Sequence, residues 1–248
     1  MRERMMILAK AYPEYSTKYN YTICTAGITE CGDWRRIYPI PFDIYLKAKY
    51  SKRDWIEYEI NNDGNRDIRK ESRKIDVNSI KIISKGENEF IRSELRKRLT
   101  TLEELSENYK KDKTSLGVIK PRLDDFKLRD RDLDKSKRDF LKYQTTLIPT
   151  FKPDMFDKLP SYKFRCCDNC NGHEIFCEDI EAVELYRKMK RVHKNVEECE
   201  YGVKKKLFDW MKGRDLYFVI GTHFLYGTPL IISLIYPKYY GEYLDRFL

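Results

Sequence analysis

The sequence predicts an α+β protein that is mainly β, in which a helical connection joins two β-rich halves. Short apolar segments separated by turn residues fill positions 5–84 with no long helix between them, which is typical of a small antiparallel barrel. Apolar residues then recur at helical spacing, and short apolar segments return further along the chain. We therefore expect an N-terminal barrel at 1–85, a helical connection at 86–140 and a C-terminal β-rich domain at 141–248.

Alternating apolar residues and turn residues define the elements of the first half. The predicted strands are 5–13, 21–29, 34–42, 55–61 and 80–84. A hairpin connection is predicted at 30–33, and the Asn-Asp-Gly-Asn sequence at 62–65 predicts a turn. Within the connection, helical spacing predicts one or two amphipathic helices at 89–111, and the alternating charges of 127–138 favour a solvated helix or a flexible segment.

The second half combines strands with two helices. Strands are predicted at 161–165, 216–220 and 230–236, with a short apolar segment at 175–177. One helix is predicted at 179–194, where basic residues near the end suit the helix dipole, and another at 201–212, which stops at Gly213.

The charge balance indicates a polyanionic partner. Lysine and arginine outnumber aspartate and glutamate by 49 to 40, a net charge of +9. Such a field attracts nucleic acid, and single-stranded DNA or RNA is the partner that we expect. The alternative is a surface rich in both lysine and glutamate, as in proteins from hot habitats.

Hydropathy and cysteine usage indicate a cytoplasmic protein. The longest apolar run, 229–236, is far shorter than the roughly 20 residues of a membrane span, and no signal sequence is evident, so we expect no membrane partner. The seven cysteines are an odd number and three of them cluster, which favours a reducing compartment over a disulfide framework.

The cluster Cys166-Cys167-Asp168-Asn169-Cys170-Asn171-Gly172-His173 carries the clearest chemistry. Thiolates and an imidazole at this spacing are ligands of structural Zn²⁺. Spacing alone does not choose between Cys166 and Cys167, although adjacent residues of a strand face opposite sides, so only one of them should enter the site.

A fourth ligand must come from elsewhere in the chain. We favour His223, because it lies in a loop just after an apolar strand, where it can reach a neighbouring loop. The other candidates are His193, Cys24, Cys31, Cys177 and Cys199.

Aromatic and basic residues along one predicted strand suggest a nucleic-acid surface. Alternate outward residues of a β-barrel, such as Arg36 and Tyr38, could bind phosphate and stack on a base. Alternatively, Trp34 and Tyr38 fill the barrel. The complete predicted contact set is Trp34, Arg35, Arg36, Tyr38, Arg69, Arg73, Lys120 and Arg122.

No catalytic motif is evident in the sequence. It has no phosphate-binding glycine loop, no H-E-x-x-H helix and no G-x-S-x-G turn, so we do not expect an enzyme. Two alternatives to nucleic-acid binding remain: a module that docks a protein partner, and a metal-dependent hydrolase that uses Glu174.

Several segments together resemble the prokaryotic dual OB domain-containing proteins. They include C-T-A-G-I at 24–28, W-R-R-I-Y-P at 34–39 and the cysteine loop at 164–173. The other matching segments are 7–10, 115–121 and 216–223. The chain differs in having Cys167 and in placing Arg35 beside Arg36, which leaves open which arginine corresponds to the family's.

The resemblance implies two OB-like barrels and a metal knuckle at Cys166, Cys170 and His173, followed by His223. OB barrels commonly bind single strands through stacking and basic grooves. The family's association with defence against mobile elements implies an antiviral accessory protein that acts with an effector such as a nuclease.

Overall fold

The computed structural model describes residues 1–16, 18–61, 67–130, 158–224 and 226–238, which form a mixed α/β fold that consists mainly of strands. The predicted turn at 62–65 lies outside these residues. So do residues 131–140 of the predicted connection and residues 141–157 of the predicted C-terminal domain.

A large sheet, curled into a half-barrel, dominates the first half. Its strands are β1 (Arg2–Lys10), β2 (Glu14–Ser16), β3 (Asn20–Thr29), β4 (Trp34–Pro41), β5 (Asp54–Ile60), β6 (Ser72–Arg73) and β7 (Ile75–Lys85). They follow the order β6-β4-β3-β1-β5-β7, and β2 pairs with β3. The contact between β4 and β6 is parallel and the others are antiparallel. All five strands predicted in this half are present, with shifted ends.

Two three-stranded antiparallel sheets follow, in the orders β11-β10-β9 and β13-β12-β8. Their strands are β8 (Leu116–Ile119), β9 (Arg122–Asp130), β10 (Lys158–Arg165), β11 (His173–Phe176), β12 (Tyr217–Thr222) and β13 (Pro229–Ile235). The strands predicted in the second half are therefore present.

Side-chain caps determine where several helices begin. Thr101 and Glu104 form a reciprocal capping box at the start of the helix Leu102–Asp112, while Asp179 and Asn195 cap the helices that begin at Ile180 and Val196. Because Asn195 provides a cap, the helix predicted at 201–212 begins earlier than expected. The helices are α1 (Phe42–Ala48), α2 (Asn88–Arg96), α3 (Leu102–Asp112), α4 (Ile180–Val192), α5 (Val196–Lys204), a π-helical turn (Lys205–Asp209) and α6 (Trp210–Lys212).

The prediction of a helical connection across 86–140 is wrong where β8 and β9 form. Within residues 86–130, the part of this range that the structure describes, the helices end at Asp112 and the charged residues of β9 are extended. On β9, Phe126 is buried while the adjacent Lys127 is exposed. Pairing with β10, which is distant in sequence, stabilises this strand in spite of its charge.

The hydrophobic core joins the two halves. One buried cluster contains Ile7 and Ile37 from the large sheet together with Phe164 and Phe218 from the smaller sheets. The rings of Phe164 and Phe218 meet edge to face, with centroids 5.1 Å apart. Among the described residues, the helices are too short or too polar to cross a membrane.

Candidate metal centre and binding cleft

A tight loop between β10 and β11 gathers three potential metal ligands. Phe164 pairs with His173 across the two strands, so the intervening residues must reverse direction quickly. The Cys170 N–H donates to the Cys167 carbonyl at 3.3 Å, and Gly172 adopts a φ of +93°, which suits glycine. This geometry turns Cys166, Cys170 and His173 toward one another.

Glu103, in the first turn of α3, completes a group of four. One ligand atom from each of Glu103, Cys166, Cys170 and His173 lies within 4.8 Å of the other three. His173 Nε2 is 3.5 Å from Cys166 Sγ and 3.1 Å from Cys170 Sγ. The Glu103 carboxylate lies 3.2 Å from His173 Nε2 and 3.4 Å from Cys166 Sγ.

These separations suit a tetrahedral metal ion. Zinc bonds of usual length to sulfur, nitrogen and oxygen place neighbouring ligand atoms roughly 3.3–3.8 Å apart. The four distances above lie in or slightly below this range. The cluster is therefore compatible with a metal such as zinc.

The thiols differ in their tendency to ionise. Burial raises the pKa of Cys166 to about 12. Burial acts in the same direction on Cys170, but backbone N–H groups of Cys166 and Gly172 donate to its sulfur and lower its pKa. A metal would supply the positive charge that holds both as thiolates.

The structure brings together three of the four predicted metal ligands. Cys166 enters the cluster and Cys167 is exposed, as the alternation argument requires of one of the two. The fourth predicted ligand, His223, lies elsewhere, and Glu103 takes its place. Glu103 is 63 positions before Cys166 and no spacing in the sequence connects them; only the packing of α3 beside the loop does so.

The eight residues of the predicted nucleic-acid surface do not all line one cleft. Five of them have contacts elsewhere in the protein. Trp34 packs against the core, and Arg35 pairs with Glu3 at 2.9 Å. Arg73 donates to backbone carbonyls, Lys120 contacts Asp215 and Arg122 contacts Asp168. The remaining three, Arg36, Tyr38 and Arg69, line a single cleft.

This cleft, the Arg36 cleft, has a volume of about 500 Å³. It lies where β3 and β4 meet the segment 11–16 and the loop that follows β12. Three of the segments that carry the family resemblance meet there, at Cys24, at Arg36 and at His223. The other lining residues include Tyr12, Glu14, Tyr15, Tyr38, Arg69, Glu178, Gly221, Thr222 and Phe224.

Arg36 is buried, although the sequence places it on an outward face. Its side chain is 1% exposed, and Nη1 donates to Ser115 Oγ and lies 4.0 Å from the Glu71 carboxylate. Burial lowers the pKa of the guanidinium. The sequence could not show this position, because Glu71 and Ser115 are distant in the chain.

Arg69 fixes the loop that borders the cleft. Its guanidinium makes a bidentate contact with Asp67, and Nη1 donates to the Thr222 carbonyl at 2.8 Å. The guanidinium also lies 5.7 Å from the ring centroid of Phe224. These contacts hold Phe224 at the cleft.

His223 should titrate above its ordinary value. The contact with Glu14, whose carboxylate is 3.6 Å from Nε2, raises the pKa of His223 above 6.5, while burial acts in the opposite direction. A raised folded-state pKa means that the pair stabilises the fold below pH 6.5 and that this contribution is lost as the pH rises through the raised value. We expect Glu14→Gln to lower the pKa of His223, as measured by NMR titration of the three histidines.

His193, which is paired with Glu198 instead, is the internal control for this titration. An unchanged His223 pKa in Glu14→Gln would contradict the assignment of Glu14 as its partner.

Two family models match the chain and together cover nearly all of it. Residues 1–103 match a domain of unknown function (DUF8758), and residues 98–247 match another (DUF8757). No curated protein matches the chain. The second match covers more than half of the residues, so the chain belongs to the DUF8757 family.

Proposed function

We propose that this is a zinc-stabilised protein that binds single-stranded DNA or RNA at the Arg36 cleft. The observation that carries the proposal is the meeting of aromatic rings and arginines there: Tyr12, Tyr38 and Phe224 line the same space as Arg36 and Arg69. Base stacking on aromatic rings combined with cationic groups is the common mode of single-strand recognition. The net charge of +9 favours the approach of a polyanion.

A single strand fits this arrangement better than a duplex. The rings line a cleft, and a base must leave its stack to reach them. An unpaired strand has no base pairs to break, whereas a duplex must lose pairing and stacking energy first.

The proposed role of zinc is structural. Glu103, Cys166, Cys170 and His173 would hold it, and four protein ligands fill a tetrahedral coordination sphere. When bound, the ion supplies the charge that joins α3 to the β10–β11 loop.

The resemblance to the dual OB domain-containing proteins supports the cellular role that we propose. On that basis the protein acts in the cytoplasm as an accessory to a nuclease or another antiviral effector, and contributes binding rather than catalysis.

Phe224→Ala should weaken single-strand binding roughly tenfold, because it removes one stacking surface. Fluorescence anisotropy with labelled single- and double-stranded oligonucleotides over a salt series measures the effect. Affinity should fall as salt rises, since phosphate neutralisation releases counterions.

The matched control is Tyr201→Ala, which removes a 66% exposed ring that does not line the cleft. Equal losses in the two variants, or binding that does not depend on salt, would contradict the proposal.

A second candidate function is the docking of a protein partner at β7. This strand lies at one end of the large sheet, and Ile82 and Ile83 are each 47% exposed. Exposed apolar residues on an edge strand suit the addition of a partner strand. If folded, metal-loaded protein has no affinity for any nucleic acid at low salt, this second function is favoured.

A further inference from the structure

The size of the Arg36 cleft limits what it can hold. Its volume of about 500 Å³ lies in the range of roughly 300–1,000 Å³ that is common for small-molecule sites. This space suits one nucleotide better than a run of stacked nucleotides. The strand proposed above would therefore enter the cleft with a single unit.

Arg36 lines this cleft and has one buried hydrogen-bond donor without a partner. Its side chain is 1% exposed and its Nε has no hydrogen-bond partner among the described residues. The nearby Glu71 carboxylate already accepts from the Ser115 and Leu116 N–H groups and from Ser115 Oγ. A buried charged donor without a partner is costly, and an anionic ligand would complete its hydrogen bonds.

Gly221 packs closely beside Arg36 and Ile232. A Cβ atom at this position would lie 3.5 Å from Arg36 Nη2, an ordinary contact, but only 3.0 Å from Ile232 Cδ1, so a side chain would have to displace Ile232. Gly221 itself lines the cleft.

The rest of the lining suits a flat, largely apolar group. Tyr12, Tyr38 and Phe224 contribute rings, and Arg69 holds the Phe224 loop in place through the Thr222 carbonyl. A buried cation beside several rings matches a ligand that joins one anionic group to one planar ring. A nucleotide has this composition.

We infer that the Arg36 cleft binds one nucleotide unit that carries a terminal phosphate, either as a free nucleoside monophosphate or as the phosphorylated end of a single strand. The inference rests on the proposed function for its choice of ligand class. Arg36 binds the phosphate and the rings stack on the base.

The test compares free monophosphates with single strands that differ in their ends. They are adenosine and uridine monophosphates, eight-residue single strands with a 5′ phosphate, a 3′ phosphate or neither, and a circular single strand. A phosphorylated end should bind about tenfold more tightly than an unphosphorylated one in calorimetric titration, because the phosphate gains charge-assisted hydrogen bonds. Arg36→Gln should reduce this difference to roughly twofold or less.

Cys24 provides a second measurement that needs no variant. It lines the cleft and is partly buried, whereas Cys31 is exposed and does not line it. The tightest of these probes should slow alkylation of Cys24 by iodoacetamide roughly tenfold at saturation and leave Cys31 unaffected, as followed by mass spectrometry. This measurement of protection tests the inference even if Arg36→Gln fails to fold.

The outcomes separate this inference from the proposed function. If the linear strands with different ends and the circular strand bind with equal affinity and leave Cys24 unprotected, the inference is overturned. The proposed binding of single strands would still stand. Protection of Cys24 by free monophosphates, without binding of any strand, would support the inference and remove the proposed function. No binding and no protection by any probe would overturn both.

Discussion

Replacing Cys166 with serine should abolish stoichiometric metal binding and lower the free energy of unfolding by about 4 kcal/mol, since loss of a structural metal is among the most destabilising changes. For a protein of this length, the melting temperature should fall by about 10 °C. The reason is geometric: without Cys166 Sγ, the cluster loses the sulfur that lies 3.5 Å from His173 Nε2 and 3.4 Å from the Glu103 carboxylate. Metal analysis and thermal unfolding measure the two effects.

Cys167→Ser is the matched control, because it changes the neighbouring thiol, which is exposed and outside the cluster. Its effect should stay within about 0.5 kcal/mol. A chelator should lower the melting temperature of the unaltered protein and of Cys167→Ser, but have little effect on Cys166→Ser. If the two serine variants behave alike, or if the unaltered protein binds no metal, the site is wrongly assigned.

Asp179→Ala should destabilise the protein by about 3–5 kcal/mol, because it leaves a buried lysine without its main partner. Asp179 is 1% exposed, and its Oδ2 accepts from Lys52 Nζ at 2.7 Å and from the Leu234 N–H at 2.7 Å. Its Oδ1 accepts from the Glu181 N–H and so caps α4. Burial tends to lower the pKa of Lys52, but the carboxylates of Asp179 and Glu181 raise it, so the lysine is charged at neutral pH.

The control for this variant is Glu181→Gln. Glu181 also pairs with Lys52, at 3.0 Å, but its side chain is 52% exposed, so the change should cost less than about 1 kcal/mol. Urea unfolding of both variants gives the comparison. Similar losses in the two would contradict the assignment of Asp179 as the main partner of Lys52.

Five of the seven strands of the large sheet could be predicted, because their apolar pattern and turns are local properties. β9 could not, since its nine residues are mostly charged and become a strand through pairing with β10. The cysteine loop was visible because its three cluster members lie within eight residues of one another. Glu103 could not be recognised as a ligand, because a carboxylate on an amphipathic helix has no distinguishing sequence signal. Only tertiary packing places it beside the thiols.

The arginines also show that sequence alone does not identify tertiary partners. Residue type suggested phosphate contact for Arg35, Arg36 and Arg69, but an arginine is equally able to pair within the protein. Arg35 does so with Glu3, and Arg69 with Asp67. Only tertiary structure shows that the buried Nε of Arg36 has no hydrogen-bond partner in the described part of the chain and that Arg36 shares a cleft with Arg69 and His223.

The most direct test of the central claim is photocrosslinking of a single strand that carries 4-thiouridine, followed by mass spectrometry of the crosslinked peptides. If the strand binds at the Arg36 cleft, the crosslinks should fall on peptides that contain Tyr12, Tyr38 or Phe224, and unlabelled strand should compete them away. A strand that binds but crosslinks only outside these peptides would contradict the account.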